Sequence, residues 1–461
     1  MSNNWLRRAF ALYAGGGESR VSIRSHLATR GFLFADNLLF SVANFVLTIS
    51  LARLYAESDF AAMGVALAFA LAVQAMQKSL YIVRVSLMPA HTARRRRGAI
   101  IAEHLIVVTA AVLFVCLVVT VGRLAGASEQ FRLIGWATVV CYLIYFQADF
   151  DRAILLKLGS ALRPALLSLS YLIAVTILAV LARSRGLSFQ GFMIGLVVFA
   201  IAKGLVVVAL LGARPRWRAG RRLLAADWRR YGMPSLIGAA SYAGFTHFPV
   251  MLLEALNGPL QVGVFVAMRT LMQPLMVVIR SLDAGDKNRF QDHSGGTLIG
   301  VRRVFWRTIA MYAAIGLLAL LVLSVAPEQL IRIVYKGKYG GHADLLIGWC
   351  LFAIFLTLSM PIQSVVYLLQ RQRQAMWWGM ISSVTGLCLA LFTCGPLGAR
   401  GAMLSTLCGA MLGVITGLWV IRDVVISPIT DKFQMIPVAG LRKRRLAEER
   451  PQPAGPSAPR Q

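Results

Sequence analysis

Twelve apolar stretches, each long enough to cross a bilayer, follow one another along this chain, and that succession limits the fold more than any motif does. A hydrocarbon core about 30 Å thick takes about 20 helical residues. The stretches run over 31–54, 60–83, 100–123, 132–150, 162–182, 188–211, 233–256, 259–282, 304–326, 343–368, 375–396 and 399–421. Lipid offers no partner to a backbone N–H or C=O, so each stretch must satisfy its own hydrogen bonds as a helix. With 58% hydrophobic and 15% charged residues and a mean hydropathy of +0.68, the expected fold is an all-α integral membrane protein.

Basic residues orient these spans, because Lys and Arg favour the cytoplasmic side in short loops. Arg94–Arg97 follow the second span, Arg214, Arg216, Arg218, Arg221 and Arg222 the sixth, and Lys287, Arg289, Arg302 and Arg303 the eighth. The alternate loops are poorer in basic residues, except the one after the ninth span, with Arg332, Lys336 and Lys338. Both termini are therefore predicted to be cytoplasmic. Much of the net charge of +29 lies beside these helix ends, where it serves orientation and attraction to anionic membrane lipids; no nucleic-acid partner is needed to explain it.

Five regions follow. Residues 1–30 read as a cytoplasmic segment with a short interfacial helix, 31–211 as a six-helix lobe, 212–232 as a basic linker, 233–421 as a second six-helix lobe, and 422–461 as a basic, Pro-rich tail, disordered towards its end. An offset of 199 positions places Gly64 on Gly263, Gln74 on Gln273 and the first span on the seventh. Six spans followed by six is a parallel-repeat plan.

No P-loop, HExxH or GxSxG pattern occurs. Six scattered cysteines show no ligand spacing and read as structural thiols, so neither cofactor nor metal is expected. Glu57 and Asp59, after the first span, form an acidic pair of the kind a membrane glycosyltransferase or ligase would use for a metal. Every predicted external loop is short, which favours a transporter over an enzyme.

The eighth span carries Arg269 near its middle, with Gln273 and Arg280 on the same face. A guanidinium at mid-bilayer costs roughly 2.5 to 17 kcal/mol, so it must face protein or water. Other spans carry polar faces too: Asn37, Ser41, Asn44 and Thr48 with Asp36 in the first, Gln74, Gln77, Tyr81 and Arg84 with Lys78 in the second, and Ser241, Tyr242, Thr246 and His247 in the seventh. A hairpin turning near Asn257 would bring His247 to the depth of Arg269. Lys203 in the sixth span is a further candidate, and Glu103, His104, Gln147 and Asp149 lie near inner ends.

The text RGFLFADNLLFSVANFVLTISLARLY, continuing into ESDFAAMGVALAFA, and the later ALNGPLQVGVFVAMRTLMQP resemble the polysaccharide transporter branch of the multidrug/oligosaccharidyl-lipid/polysaccharide exporter superfamily, including Wzx-type flippases. The resemblance implies a MATE-like pair of six-helix repeats around a central cavity in the bacterial inner membrane. It also implies an undecaprenyl-pyrophosphate-linked glycan as substrate, a polymerase and other glycan-assembly proteins as partners, and alternating access as mechanism. On that reading Arg269, Arg280, Arg84 and Lys78 meet the pyrophosphate, while Gln74, Gln273, Asn44 and Tyr242 meet the glycan or act in gating, with Asn37 and His247 lining the same cavity. A drug/cation antiporter of the same fold is the alternative, with Asp36 as its ion-coupling carboxylate; a peptidoglycan-intermediate flippase would usually carry additional spans.

Overall fold

The computed structural model describes residues 23–229 (except 83, 86, 87 and 89), 241, 246–279, 282–283 and 298–425 (except 370). Of these residues, side chains are described from residue 31 onward, except those of 79, 298, 367, 372, 373 and 375. Among the described residues there is no strand. The amino-terminal half holds α1 (Ile23–Leu54), α2 (Glu57–Gln77), α3 (Ala90–Leu124), α4 (Glu129–Lys157), α5 (Leu162–Arg185) and α6 (Phe189–Leu211). A short helix α7 (Trp217–Asp227) leads to α8 (Phe248–Asn257), α9 (Pro259–Leu271) and α10 (Gln273–Ile279). The rest are α11 (Leu298–Val325), α12 (Pro327–Tyr335), α13 (Ala343–Leu368), α14 (Gln372–Leu397), α15 (Ala399–Val420) and α16 (Arg422–Val425).

Ten of these helices are long and apolar enough to span, and α9 with α10 makes an eleventh, bent by 43°. The bend has a local cause. Pro274 supplies no N–H and its ring crowds the preceding turn, which tightens so that the Met272 amide bonds Arg269 O at 3.1 Å. Much of the seventh stretch lies outside the described residues, and α8 is its far end. Bands of exposed apolar side chains, such as Leu113, Leu117 and Val121 on α3 and Leu317, Leu318 and Leu321 on α11, would be a liability in water and are the faces that meet lipid.

The two halves repeat one packing plan. In the first, α1 packs on α5, α2 and α3 on α4, and α4 and α5 on α6; in the second, α8 packs on α14, α9 and α11 on α13, and α13 and α14 on α15. Every one of these pairings has its counterpart six spans on. The linker is more than a tether, since α7 lies along α3 with Gly220 so close that an added Cβ would sit 2.8 Å from the Ala102 Cβ and the Glu103 amide.

The lobes meet where α2 crosses α9. Gly64 faces Val266 and Gly263 faces Phe60 and Tyr339, so the two glycines matched by the 199-residue offset both sit in this crossing. One apolar core runs through both lobes here, from Ala43 and Leu47 through Phe60 and Val65 to Val262, Phe265, Leu346 and Trp349. At the other end the core divides, one cluster around Tyr81, Ile100, Phe150 and Leu211 and a separate one around Phe305, Ile362, Val366 and Val424. Among the described residues the lobes are thus joined at the end that bears Tyr55 and Asn257, and the core is divided at the end that bears Arg94–Arg97.

The joined end is tied by cations. The Lys338 Nζ donates to Tyr55 O (2.6 Å) and Ala52 O (3.1 Å), and Arg53 donates from the opposite lobe to the carbonyls of Ile333 (2.7 Å) and Val334. Lys338, which made the loop after the ninth span look anomalously basic, is thereby engaged in joining the lobes.

Candidate functional site

Most polar side chains singled out in the first two spans are turned into the amino-terminal lobe. Asp36 is buried, accepts from the Arg152 guanidinium (Nε–Oδ2 2.5 Å) and from the Ser168 hydroxyl (2.6 Å), and so ties α1 to α4 and α5. Asn44 accepts from Tyr145 (2.9 Å) and Tyr171 (3.1 Å). Gln74 donates to Asp149 (2.6 Å), which also pairs with Lys78 (3.0 Å). Asn37, by contrast, is exposed and donates only to Leu33 O among the described residues.

Beyond Gln77 a π-turn, Lys78–Ile82, swings the chain so that Tyr81 is fully buried and Arg84 reaches α3 and α7. Gln77 donates to the Tyr81 oxygen (2.6 Å), leaving the tyrosine proton for His104 Nδ1 (2.7 Å). The His104 Nε2–H then donates to Gln147 Oε1 (3.0 Å), and the Gln147 amide to Asp151 Oδ1 (2.5 Å). Lys203 closes the chain on the other Asp151 oxygen at 3.0 Å. From Gln77 to Gln147 the donors point one way, towards Asp151, where Lys203 meets them from the other side; the amides of Gln77 and Gln147 pass no proton, so this chain orders the lobe. Arg84 pairs with both Glu103 and Asp227, the latter on α7.

Low polarity around these groups explains the pairing, because a buried charge without a partner costs several kcal/mol. Among the described residues, the carboxylates of Asp36, Glu103, Asp149, Asp151 and Asp227 face the cations Lys78, Arg84, Arg152 and Lys203. Of the four, Lys78 is the most open, with its side chain 49% exposed. The sequence reading did not single out Asp151, Arg152, Ser168, Tyr145 or Tyr171; the signal for the first two was Asp149, Asp151 and Arg152 falling within four residues of an apolar helix.

Arg269 stands elsewhere, in the last turn of α9 just before the bend and between the lobes. Its guanidinium carbon lies 5.7 Å from the centroid of the Trp349 ring, and Trp349 is itself fixed by Phe265 and Phe352 at 5.0 and 5.2 Å. The charge is felt at His247, across the α8–α9 hairpin, and at Tyr145 on α4 of the other lobe. Gly258, at φ 77°, makes that hairpin turn, with Pro259 opening the next helix. Gln273 follows the bend and is half-buried, while Arg280 and Tyr242 lie outside the described residues.

Glu57 and Asp59 occupy the first turn of α2 at the joined end, where negative charge favours the helix N-terminus. Among the described residues no three His, Cys, Asp or Glu side chains gather as metal ligands.

No family model matches the chain, and no curated protein does. Its fold is that of transporters of the MOP superfamily. The lipid II flippase MurJ in an inward closed conformation is 14% identical, with a TM-score of 0.64 over 87% of this chain and 88% of that one. A multidrug resistance MATE family transporter of the MOP superfamily is 15% identical in its inward-facing form, with a TM-score of 0.61 over 84% and 95% of the two chains. The outward-facing conformation of a MATE family transporter described in the same words gives 0.58 over 88% and 99%, also at 15% identity.

Proposed function

We propose that the protein is a flippase that moves an undecaprenyl-pyrophosphate-linked oligosaccharide across the bacterial inner membrane by alternating access, in the making of exopolysaccharide, capsule or O-antigen. The observation that carries this reading is the place of Arg269, a guanidinium set between two lobes at a bend, over an aromatic ring, and felt from both sides. A cation there suits a pyrophosphate and disfavours the cationic drugs of an antiporter. Lys78, the most open of the amino-lobe cations, is the second phosphate contact, and Gln273 and His247 offer hydrogen bonds to phosphate or sugar. Asn37, exposed on α1, is a glycan contact.

On the orientation read from Lys and Arg, the end where the described core divides faces the cytoplasm, where lipid-linked glycans are assembled. Exchange of the joined and divided ends would release the head group on the far side while its polyprenyl tail stays in lipid. That MurJ, of the same fold, is a lipid II flippase supports a lipid-linked cargo. In a deletion strain the account expects loss of surface glycan, accumulation of the lipid-linked intermediate on the cytoplasmic leaflet and unchanged drug susceptibility; drug sensitivity with normal glycan would favour the antiporter.

A further inference from the structure

We infer that the protein carries a second anion site, apart from Arg269, for a phosphate-bearing lipid headgroup. A pocket of about 390 Å³ opens between the start of α3 and the α6–α7 connection, lined by Arg94, Arg95, Arg97, Arg214 and Arg216. No Asp or Glu lines it. Among the described residues none of the five arginines has an ion-pair partner, whereas Lys78, Arg84, Arg152 and Lys203 all do.

The pocket is held open by backbone rather than by chance placement of side chains. Arg216 N donates to Gly98 O at 2.8 Å, and a Cβ on Gly98 would fall 2.5 Å from Arg214 O. Only glycine lets the two walls approach so closely. Leu211 and Ile100 beneath belong to the apolar core, so the arginines stand just where α6 leaves and α3 enters the hydrocarbon, at the level of lipid phosphates. Five like charges on one concavity repel one another, and an anion relieves that repulsion; planar guanidinium forks match phosphate oxygens two at a time. The inference stands whether or not the protein moves a lipid-linked glycan.

The test titrates the full-length protein in detergent with dioctanoyl phosphatidylglycerol, dioctanoyl phosphatidylcholine and sodium pyrophosphate, read by calorimetry. R94Q/R97Q and R214Q/R216Q remove charge from the two walls, and R221Q/R222Q removes equal charge from α7 outside the pocket. At about fivefold for each arginine near a phosphate surface, either wall pair is expected to weaken binding roughly 30-fold, with the control pair changing it less than fivefold. Loss confined to phosphatidylglycerol assigns the pocket to bulk anionic lipid; loss for pyrophosphate as well assigns it to a diphosphate group. Equal loss in the control pair, equal binding of phosphatidylcholine, or no binding by the native protein overturns the site. Should one wall pair fail to fold, the other tests the same pocket.

Discussion

Val266 of α9 fills the place a side chain on Gly64 of α2 would take, with an added Cβ only 2.8 Å from its Cγ2 methyl. This contact joins the lobes in the conformation described. Replacing Gly64 with Leu overpacks the crossing, which costs about 1–3 kcal/mol and shifts the conformational equilibrium by roughly 5- to 150-fold. Spin labels at Glu57 and Lys336, on a background with reactive cysteines removed, should report a longer and broader separation in Gly64→Leu. Gly64→Ala, which needs only a methyl to shift, should change it little.

Arg53 and Lys338 tie the same end through backbone carbonyls. Hydrogen bonds from charged groups contribute about 1.5–3 kcal/mol, and with Arg53 exposed and Lys338 half-buried the low end of that range applies. The double variant Arg53→Met/Lys338→Met should let maleimide reach a cysteine placed at Phe60 at least tenfold faster than in the parent. Equal rates would mean that apolar packing alone holds the joined end.

Lys203 and Asp151 are both buried, so removing one partner leaves a bare charge. Lys203→Met is expected to destabilise the protein by about 3–5 kcal/mol, and Asp151→Leu with Lys203→Met to restore most of it. Melting of the detergent-solubilised variants, followed by size-exclusion chromatography, checks both. If the single and double variants melt together, the pair does not hold the lobe.

The span layout was legible because hydropathy and basic loops act over whole segments, where one residue changes little. The bend after Arg269 was written in Pro274 but gives no hydropathy signal, so 259–282 read as one span. The partners of Lys78 and Arg84 were harder to see. The stripe Gln74, Gln77, Tyr81 and Arg84 fixes a face of one helix, yet nothing in its spacing says that the face turns towards α3, α4 and α7. Those carboxylates come from residues up to 143 positions away, and only packing brings them to it. Lys203 pointed to a counter-ion without naming Asp151.

Near the end of α13, Arg371 grips Asp423 and donates to Val420 O at 2.8 Å. Its hydrogen bonds hold the Asp423 carboxyl below the usual carboxylate range. The folded pKa lies under the unfolded one, about 3.9, so this contribution is complete above that value and is lost as pH falls through the lowered pKa. Hydrogen exchange in 418–425, corrected for intrinsic rate, should rise on acidification through that window, and Asp423→Asn should show the raised exchange already at neutral pH.

The central claim is that Arg269 meets the anionic head group. In cells lacking the native gene, Arg269→Ala and Arg269→Lys are expressed to equal levels in the membrane, and surface glycan is measured beside the lipid-linked intermediate. The account predicts that Arg269→Ala loses at least tenfold in export while the intermediate accumulates, and that Arg269→Lys keeps part of the activity because it keeps the charge. Normal export by Arg269→Ala would contradict it.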